Sequence, residues 1–221
     1  NDGDAIFAAL TAAAEQHATV KFEENKTYYV SSVTGSRVAP LTLSNAHGVT
    51  IDGCGSTILI APNMRYMRFS NCGNVKVTNM HFDYAVPVYL VGKVKDVLGS
   101  AVVFEIDQDP YANDYDFTAC NGFSIGYNED TQQRPHAFMT ESHKTGDKEL
   151  TVTYKGHTYR EGQLVYLPNP GVGHAADQVF DVRGSDQPML FENIGVHAAS
   201  TFIWAIMHNQ DHLFFENVDL V

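Results

Sequence analysis

An alternating aromatic segment near the end of the sequence carries the clearest candidate binding residues. In Phe202–His208 one phase of a strand turns Trp204 and His208 outward together. An exposed indole can stack on the C–H face of a sugar, while an imidazole two pleats along bonds a hydroxyl group. Gln210 can add an amide to the same surface. The segment therefore predicts a sugar platform of Trp204, His208 and Gln210, whereas the opposite phase places Trp204 in the core.

Scattered carboxylates are the candidates for acid–base chemistry. Hydrolysis of a glycosidic bond needs two carboxyl groups, which stand roughly 6.5–9.5 Å apart in inverting enzymes. Acids at bends or strand ends are Asp83 beside Tyr84, Asp177, Asp181 with Arg183 nearby, Asp211 and Asp219. Each also fits an ordinary solvated carboxylate, and Asp52 fits a tight Asp-Gly bend. We take Asp83 and Tyr84 as candidate substrate-binding residues.

The sequence contains no pattern typical of a metal-binding or nucleotide-binding site. The ten histidines and three cysteines lack ligand spacing. Cys54, Cys72 and Cys120 are consistent with three ordinary buried or half-buried thiols. The Gly-Val-Gly-His stretch at 171–174 lacks the strand–loop–helix setting of a nucleotide motif. We therefore predict no metal and no cofactor.

The elements that must position these residues show a repeat. Four segments read apolar-x-apolar-x followed by Asn or Gly, namely Val49–Gly53, Val75–Asn79, Met189–Asn193 and Leu213–Asn217. The interval is 26 residues from Gly53 to Asn79 and 24 from Asn193 to Asn217. That length suits one coil of a right-handed parallel β-helix, in which stacked coils bury an apolar column. Each Asn is expected at a bend, bonded to neighbouring backbone or to the next Asn. An antiparallel sandwich is the alternative.

The repeat is interrupted once. Asn79 and Asn193 are 114 residues apart, which leaves about 90 residues outside the repeat after one coil is subtracted. Tight-turn residues separate six candidate strands in this interval. They are Val88–Val94, Ala101–Ile106, Gly122–Tyr127, His136–Glu141, Glu149–Tyr154 and Gln163–Leu167. We predict a small inserted antiparallel β-barrel or sandwich over residues 85–168.

The two flanking regions complete an all-β organisation with one terminal helix. Residues 1–84 begin with a helix over Asp4–Gln16, whose Ile6, Leu10 and Ala13 share one face and can cover the open end of a solenoid. Residues 169–221 continue the coils. Because no capping element follows the last strand, we expect the natural protein to continue beyond Val221.

The composition of the chain narrows the classes of molecule that it can be expected to bind. Hydrophobic residues make up 44% and charged residues 18% of the 221 residues, as in a globular protein with a core. The net charge of −12 disfavours nucleic acid and anionic membrane surfaces. It would also repel a polyanionic saccharide unless cations or a local basic patch intervened, but it does not penalise neutral sugars. No apolar run approaches the roughly 20 residues of a membrane span.

Two groups of residues resemble known families. Asn1–Ile6 with the Ala-rich helix, Val20-Lys21-Phe22 and Thr27-Tyr28 resemble the start of pectate-lyase-like β-helix proteins. Gly48–Ser56 and Asn74–Tyr84, followed by Pro87 and the insert, are similar to glycoside hydrolase family 110. The resemblance implies an exo-acting α-1,3-galactosidase that removes terminal galactose with inversion and without metal. It also implies a secreted or otherwise extracytoplasmic protein, in the periplasm or at the cell surface.

The sequence departs from that family at one point. The resemblance places the catalytic carboxylates after the insert, in a segment with paired Asp, and this chain has no adjacent Asp-Asp pair. We therefore expect the catalytic residues C-terminal to Val221 and no turnover from the 221 residues alone. Two other functions stay open: a non-catalytic, adhesin-type glycan-binding β-helix, and a polysaccharide lyase, which would need calcium-binding acids and a line of basic residues.

Overall fold

The structure is a computed structural model that describes most of the chain. The described residues are 1–32, 34, 39–61, 64–85, 89–106, 122–127, 132–168, 178–185, 187–197, 202–207 and 213–220. Within these ranges the side chains of residues 122–123, 168, 178–179, 202–207 and 220 lie outside the description.

The described residues are mostly β-strand, with one α-helix, α1 (Gly3–Gln16). The strands are β1 (Thr19–Lys21), β2 (Thr27–Val30), β3 (Leu41–Ser44), β4 (Thr50–Ile60), β5 (Met67–Ser70), β6 (Val75–Tyr84), β7 (Tyr89–Leu98), β8 (Ala101–Ile106), β9 (Gly122–Gly126), β10 (His136–Gly146), β11 (Glu149–Tyr154), β12 (Leu164–Pro168), β13 (Gln178–Arg183), β14 (Met189–Val196), β15 (Phe202–Met207) and β16 (Leu213–Leu220).

The chain divides into two compact units. Unit 1 consists of residues 1–86 and 174–221, and unit 2 consists of residues 87–173. The sequence predicted an insert over residues 85–168, so the two sets of limits differ by two residues at the start and five at the end.

Unit 1 contains two parallel sheets, between which the chain alternates. The first sheet has the order β1-β4-β6-β14-β16, with β2 also paired to β4, and the second has the order β15-β13-β5-β3. Every described pair in both sheets is parallel. An antiparallel sandwich is therefore excluded for this unit.

The four predicted repeat segments lie side by side in the first sheet. Ile51 pairs with Val77, Val77 with Phe191, and Phe191 with Phe215. Ile51, Val77 and Phe191 are fully buried, and the rings of Phe191 and Phe215 stack with centroids 5.4 Å apart. The inward positions of the repeat thus form one apolar column, as the alternation of the sequence predicted.

The first of the four bends is larger than predicted. Asp52 pairs with Thr78 and Ser56 pairs with Met80, so three residues of β4, at 53–55, lie opposite the single Asn79. Gly53 alone is therefore not the equivalent of the asparagines, and this part of the repeat prediction was wrong. The bend is held locally, because Asp52 Oδ1 accepts a hydrogen bond from the Cys54 N–H at 3.1 Å.

The helix has the predicted face. Its buried residues include Ile6, Leu10 and Ala13, and the helix contacts β1 and β3. Its C-cap is His17, which has a φ of 52° and whose N–H donates to the Ala13 carbonyl.

Two of the cysteines are free thiols, as predicted: Cys54 is half-buried and Cys72 is buried. Cys120 lies outside the described residues.

Unit 2 is a closed antiparallel barrel with the strand order β10-β11-β8-β7-β12-β9. All six predicted strands are present. β7 and β10 are longer than predicted, because pairing continues to the turn in both hairpins: Leu98 pairs with Ala101, and Gly146 with Glu149. Phe104 is fully buried in this unit.

Candidate functional site

The predicted platform residues fall largely outside the described part of the chain. His208 and Gln210 are not among the described residues. Trp204 is described only by its backbone, which pairs with Phe180 in β13. Phe180 in turn pairs with Met67, and both of these partners are fully buried. The sugar platform therefore stays a prediction.

Asp83 and Tyr84 lie at the end of β6, on opposite sides of the strand. Tyr84 is 5% exposed, and its ring packs against that of Tyr66 at 5.2 Å. Asp83 is half-buried, and its Oδ1 accepts a hydrogen bond from the Tyr84 N–H at 2.7 Å. Asp83 is thus oriented toward the outer face, whereas Tyr84 contributes to the core behind it.

A ladder of side-chain amides runs across the first sheet. Asn217 Nδ2 donates to Asn193 Oδ1 at 3.0 Å, and Asn193 Nδ2 donates to Asn79 Oδ1 at 2.9 Å. Asn79 Nδ2 donates to Asp52 Oδ1 at 3.1 Å, which ends the series. The three asparagines have φ values of 54°, 52° and 49°, in the left-handed region that Asn tolerates. We call these four residues the asparagine ladder; its Asn-to-Asn bonding was predicted.

The ladder forms one side of an open groove of about 290 Å³, which we call the ladder groove. Asn79, Asn193 and Asn217 line it, together with His81, Gly195 and Asp219. The last three residues each stand two places after a ladder asparagine. The positions two residues after the ladder asparagines therefore form one row of the groove.

That row crosses three neighbouring strands in register. His81 pairs with Gly195, and Gly195 pairs with Asp219. At a strand spacing of about 4.8 Å, the outer two residues are roughly 9.5 Å apart at their Cα atoms. A Cβ atom on Gly195 would stand 2.4 Å from His81 Nδ1, so the imidazole occupies the space over this glycine. Glycine is required here if the ring is to lie in that position.

A second row follows two residues later. Asp83 lies on β6, and the exposed His197 continues the β14 register, since its N–H donates to the Phe82 carbonyl at 3.0 Å. Each outer row therefore holds one imidazole and one carboxylate. His81 and Asp219 form the first pair and Asp83 and His197 the second, all on the outer face of the same sheet.

The arrangement places on one sheet face two acids that the sequence had named separately. Asp83 and Asp219 lie on β6 and β16, with β14 between them. Sequence reasoning missed His81 and Gly195, although the repeat contained the signal: the position two residues after each asparagine holds a polar or small residue. Asp181 lies elsewhere, buried in the second sheet, and Asp177 and Asp211 are outside the described residues.

Two carboxyl groups on this face of the first sheet have lowered pKa values. The hydrogen bond from Asn79 lowers the pKa of Asp52 below its ordinary range, so this carboxylate stays ionised at the end of the ladder. Glu192 on the adjacent outer surface also has a lowered pKa, mainly because Lys76 Nζ lies 2.7 Å away. The sheet face next to the groove is thus a fixed array of hydrogen-bonding groups.

Within the described ranges no set of three or more His, Cys, Asp or Glu side chains is placed to hold a metal ion. None of the helical segments in the described chain has the length and apolar character of a membrane span.

No model of a known protein family matches the chain, and a search of curated proteins finds no match.

Proposed function

We propose that unit 1 is a right-handed parallel β-helix whose ladder groove binds the terminal sugar of a glycan. Three features support the coil architecture: the chain alternates between two parallel sheets, the repeat spacing is 24 to 26 residues, and equivalent asparagines bond to one another. Stacked windings produce all three features together.

The single observation that supports sugar binding is the pair of outer rows around Gly195. A sugar presents hydroxyl groups in several directions and therefore needs several acceptors and donors within one concave surface. In the groove, Asp219 supplies a carboxylate acceptor and His81 supplies an imidazole, which lies over Gly195. Asp83 supplies a further acceptor from the next outer row. Neutral sugars also suit a chain with a net charge of −12.

The activity we propose is inverting, metal-independent hydrolysis of terminal α-linked galactose, by a protein that acts outside the cytoplasm. This step rests on the resemblance to glycoside hydrolase family 110. Two carboxylates on one face are also the chemical requirement of the reaction. Asp83 and Asp219 are therefore to be tested for turnover as well as for binding.

Binding is tested by titrating the 221-residue chain with methyl α-galactoside, followed by NMR or calorimetry. Asp83→Asn and Asp219→Asn should each weaken binding about tenfold, because each removes a charged acceptor of a sugar hydroxyl. Asp96→Asn in unit 2 is the matched control: Asp96 Oδ1 accepts the Val97 N–H just as Asp83 Oδ1 accepts the Tyr84 N–H. Unchanged affinity in both Asp83→Asn and Asp219→Asn would refute the site.

Turnover is tested with p-nitrophenyl α-galactoside and the protein expressed from its natural gene. Release of inverted galactose supports the hydrolase, and a kcat loss of a thousandfold or more in a groove variant identifies a catalytic carboxylate. Galactoside binding without any release favours the glycan-binding alternative. Calcium-dependent formation of unsaturated uronate favours the lyase. Either of the last two results contradicts the hydrolase proposal.

A further inference from the structure

A second concentration of charge lies on the other sheet of unit 1, around the fully buried carboxylate of Asp181. Arg183 Nε is 2.6 Å and Arg65 Nη1 is 2.7 Å from its two oxygens. Arg68 Nε lies 3.7 Å from Oδ2. Asp181 and Arg68 are paired residues on the adjacent strands β13 and β5. We call the three arginines the arginine cluster.

The cluster carries more positive charge than Asp181 requires. One arginine in bidentate contact is enough to compensate a buried carboxylate. Here three guanidinium groups, with five N–H donors each, converge on a carboxylate that offers about four acceptor sites. The local formal charge of these four residues is +2, in a chain whose total is −12. Attraction for anions is therefore concentrated at this point.

The excess charge is accessible. The side chains of Arg68 and Arg183 are 40% and 36% exposed, although both contact a carboxylate with no exposure. Contact with the buried Asp181 carboxylate thus holds one part of each guanidinium group in place and leaves another part at the surface. Anchored arginines lose less conformational entropy on binding a ligand than free surface arginines do.

A groove of about 480 Å³ lies next to this cluster, along α1, β3 and β5. We call it the helix groove. Arg68 is the charged residue among the described residues that line it, and Ser44 and Ser70 add hydroxyl groups. The Thr11 and Thr42 hydroxyls, which also belong to the lining, donate to backbone carbonyls instead. Arg183 is the strand partner of Ser70, a lining residue, and so stands next to the groove without being part of its lining. Guanidinium and hydroxyl donors in one concave surface form a donor set for an oxyanion.

We infer that the helix groove binds an oxyanion, as a carboxylate, sulfate or phosphate group, through Arg68 and Arg183. The site is separate from the ladder groove and does not depend on the proposed hydrolase. It would allow an acidic chain to accept a ligand that carries negative charge, which the composition otherwise disfavours.

The test is a titration of the 221-residue chain with sodium sulfate, sodium phosphate and glucuronate, with glucose as the neutral control. Chemical shifts of the Thr42, Ser44 and Ser70 amides should move with an oxyanion and not with glucose. Affinity should fall as sodium chloride rises, because the contact is ionic. Tighter binding of glucuronate assigns a carboxylate ligand and tighter binding of sulfate or phosphate a tetrahedral one; both support the site.

Variants separate the site from general charge effects. Arg68→Gln and Arg183→Gln should each weaken oxyanion binding about tenfold to a hundredfold. Arg160→Gln in unit 2 makes the same change of net charge at an exposed position and should leave the affinity unchanged. Equal losses in all three variants, or no oxyanion binding by the unmodified chain, would overturn the inference.

A second pair of variants leaves the arginine cluster intact, in case the arginine variants fail to fold. Ser44 is exposed and lines the helix groove. Ser44→Asp places a negative charge in the groove and should abolish oxyanion binding. Ser44→Asn has nearly the shape of the Asp variant without its charge and should preserve binding. Oxyanion binding that survives in Ser44→Asp would contradict the assignment to this groove.

Discussion

The two units of this protein obtain their strand pairing from opposite kinds of sequence information. In unit 1 Val77 pairs with Phe191, 114 residues further along the chain, and Phe191 pairs with Phe215 after another 24. In unit 2 Leu98 pairs with Ala101 across a two-residue turn. Unit 1 is thus specified by equivalent positions that stack across distant segments, whereas in unit 2 the hairpins β7–β8 and β10–β11 are specified by local turns. A substitution should therefore affect a column of stacked residues in unit 1 and a hairpin neighbourhood in unit 2.

The largest test of this comparison is to remove one ring from each core. Phe191 is fully buried, with Phe215 at 5.4 Å and Phe69 at 6.4 Å between ring centroids. Phe191→Ala should destabilise unit 1 by about 3–5 kcal/mol, because it removes apolar contacts on both sides of a column and leaves a cavity. Amide hydrogen exchange should show the loss of protection in β6, β14 and β16.

Phe104→Ala is the matched substitution in unit 2, where Phe104 is also fully buried. We expect a loss of similar size, with faster exchange confined to the barrel strands β7, β8 and β11. If either substitution reduced protection equally in both units, the two cores would have to unfold as one, and the comparison would fail.

Sequence reasoning worked where a residue marks a backbone conformation. Asn79, Asn193 and Asn217 all need a left-handed φ at a bend, so their spacing predicted the strands of the first sheet. In the second sheet the left-handed residues stand directly after β3, β5 and β13 instead of within them, at Asn45, Asn71 and Gly184. The strands themselves have only short apolar alternations such as Leu41 and Leu43. Those three strands were not predicted, because an alternation of two residues occurs too often to identify a strand.

The candidate sites show the same limit. Asp83 and Asp219 were each found as acids, but only the register joins them across β14. The arginine cluster depends on Arg65 and Asp181, which are 116 residues apart and carry no shared motif. A repeat can predict which positions are equivalent. It cannot predict that a buried carboxylate gathers charges from two strands.

A medium-sized effect should follow from cutting the asparagine ladder at its centre. Asn193 donates to Asn79, accepts from Asn217 and has a φ of 52°. Asn193→Ala should destabilise unit 1 by about 2–3 kcal/mol, the sum of lost side-chain hydrogen bonds and the higher cost of alanine than of asparagine in the left-handed region. Thermal or urea unfolding, followed through unit 1 amides, measures the change.

Asn193→Gly separates the two contributions, because glycine adopts the left-handed region without strain but has no amide side chain. We expect about half of the loss seen with alanine. A glycine variant as unstable as the alanine variant would assign the whole effect to the hydrogen bonds, and one as stable as the unmodified chain would show that the ladder adds no stability. No residue in unit 2 should respond to either change.

The smallest expected effect is on stability at low pH, and it distinguishes how each unit lowers the pKa of one carboxyl group. The pKa of Asp52 in unit 1 is lowered chiefly by the neutral amide of Asn79, whereas the pKa of Glu149 in unit 2 is lowered chiefly by the ammonium of Lys95. A lowered folded-state pKa gives stability that is present above the unfolded-state pKa of about 4 and is lost as the pH falls through the folded-state value. Unfolding free energies measured from pH 6 to pH 2 should therefore decline less steeply in Asp52→Asn for unit 1 and in Glu149→Gln for unit 2.

Salt separates the two mechanisms, because 1 M sodium chloride screens the exposed Lys95–Glu149 pair but not a hydrogen bond from an uncharged amide. The acid dependence of unit 2 should weaken in high salt while that of unit 1 persists, and an equal weakening in both would show that Asp52 is held by charge after all.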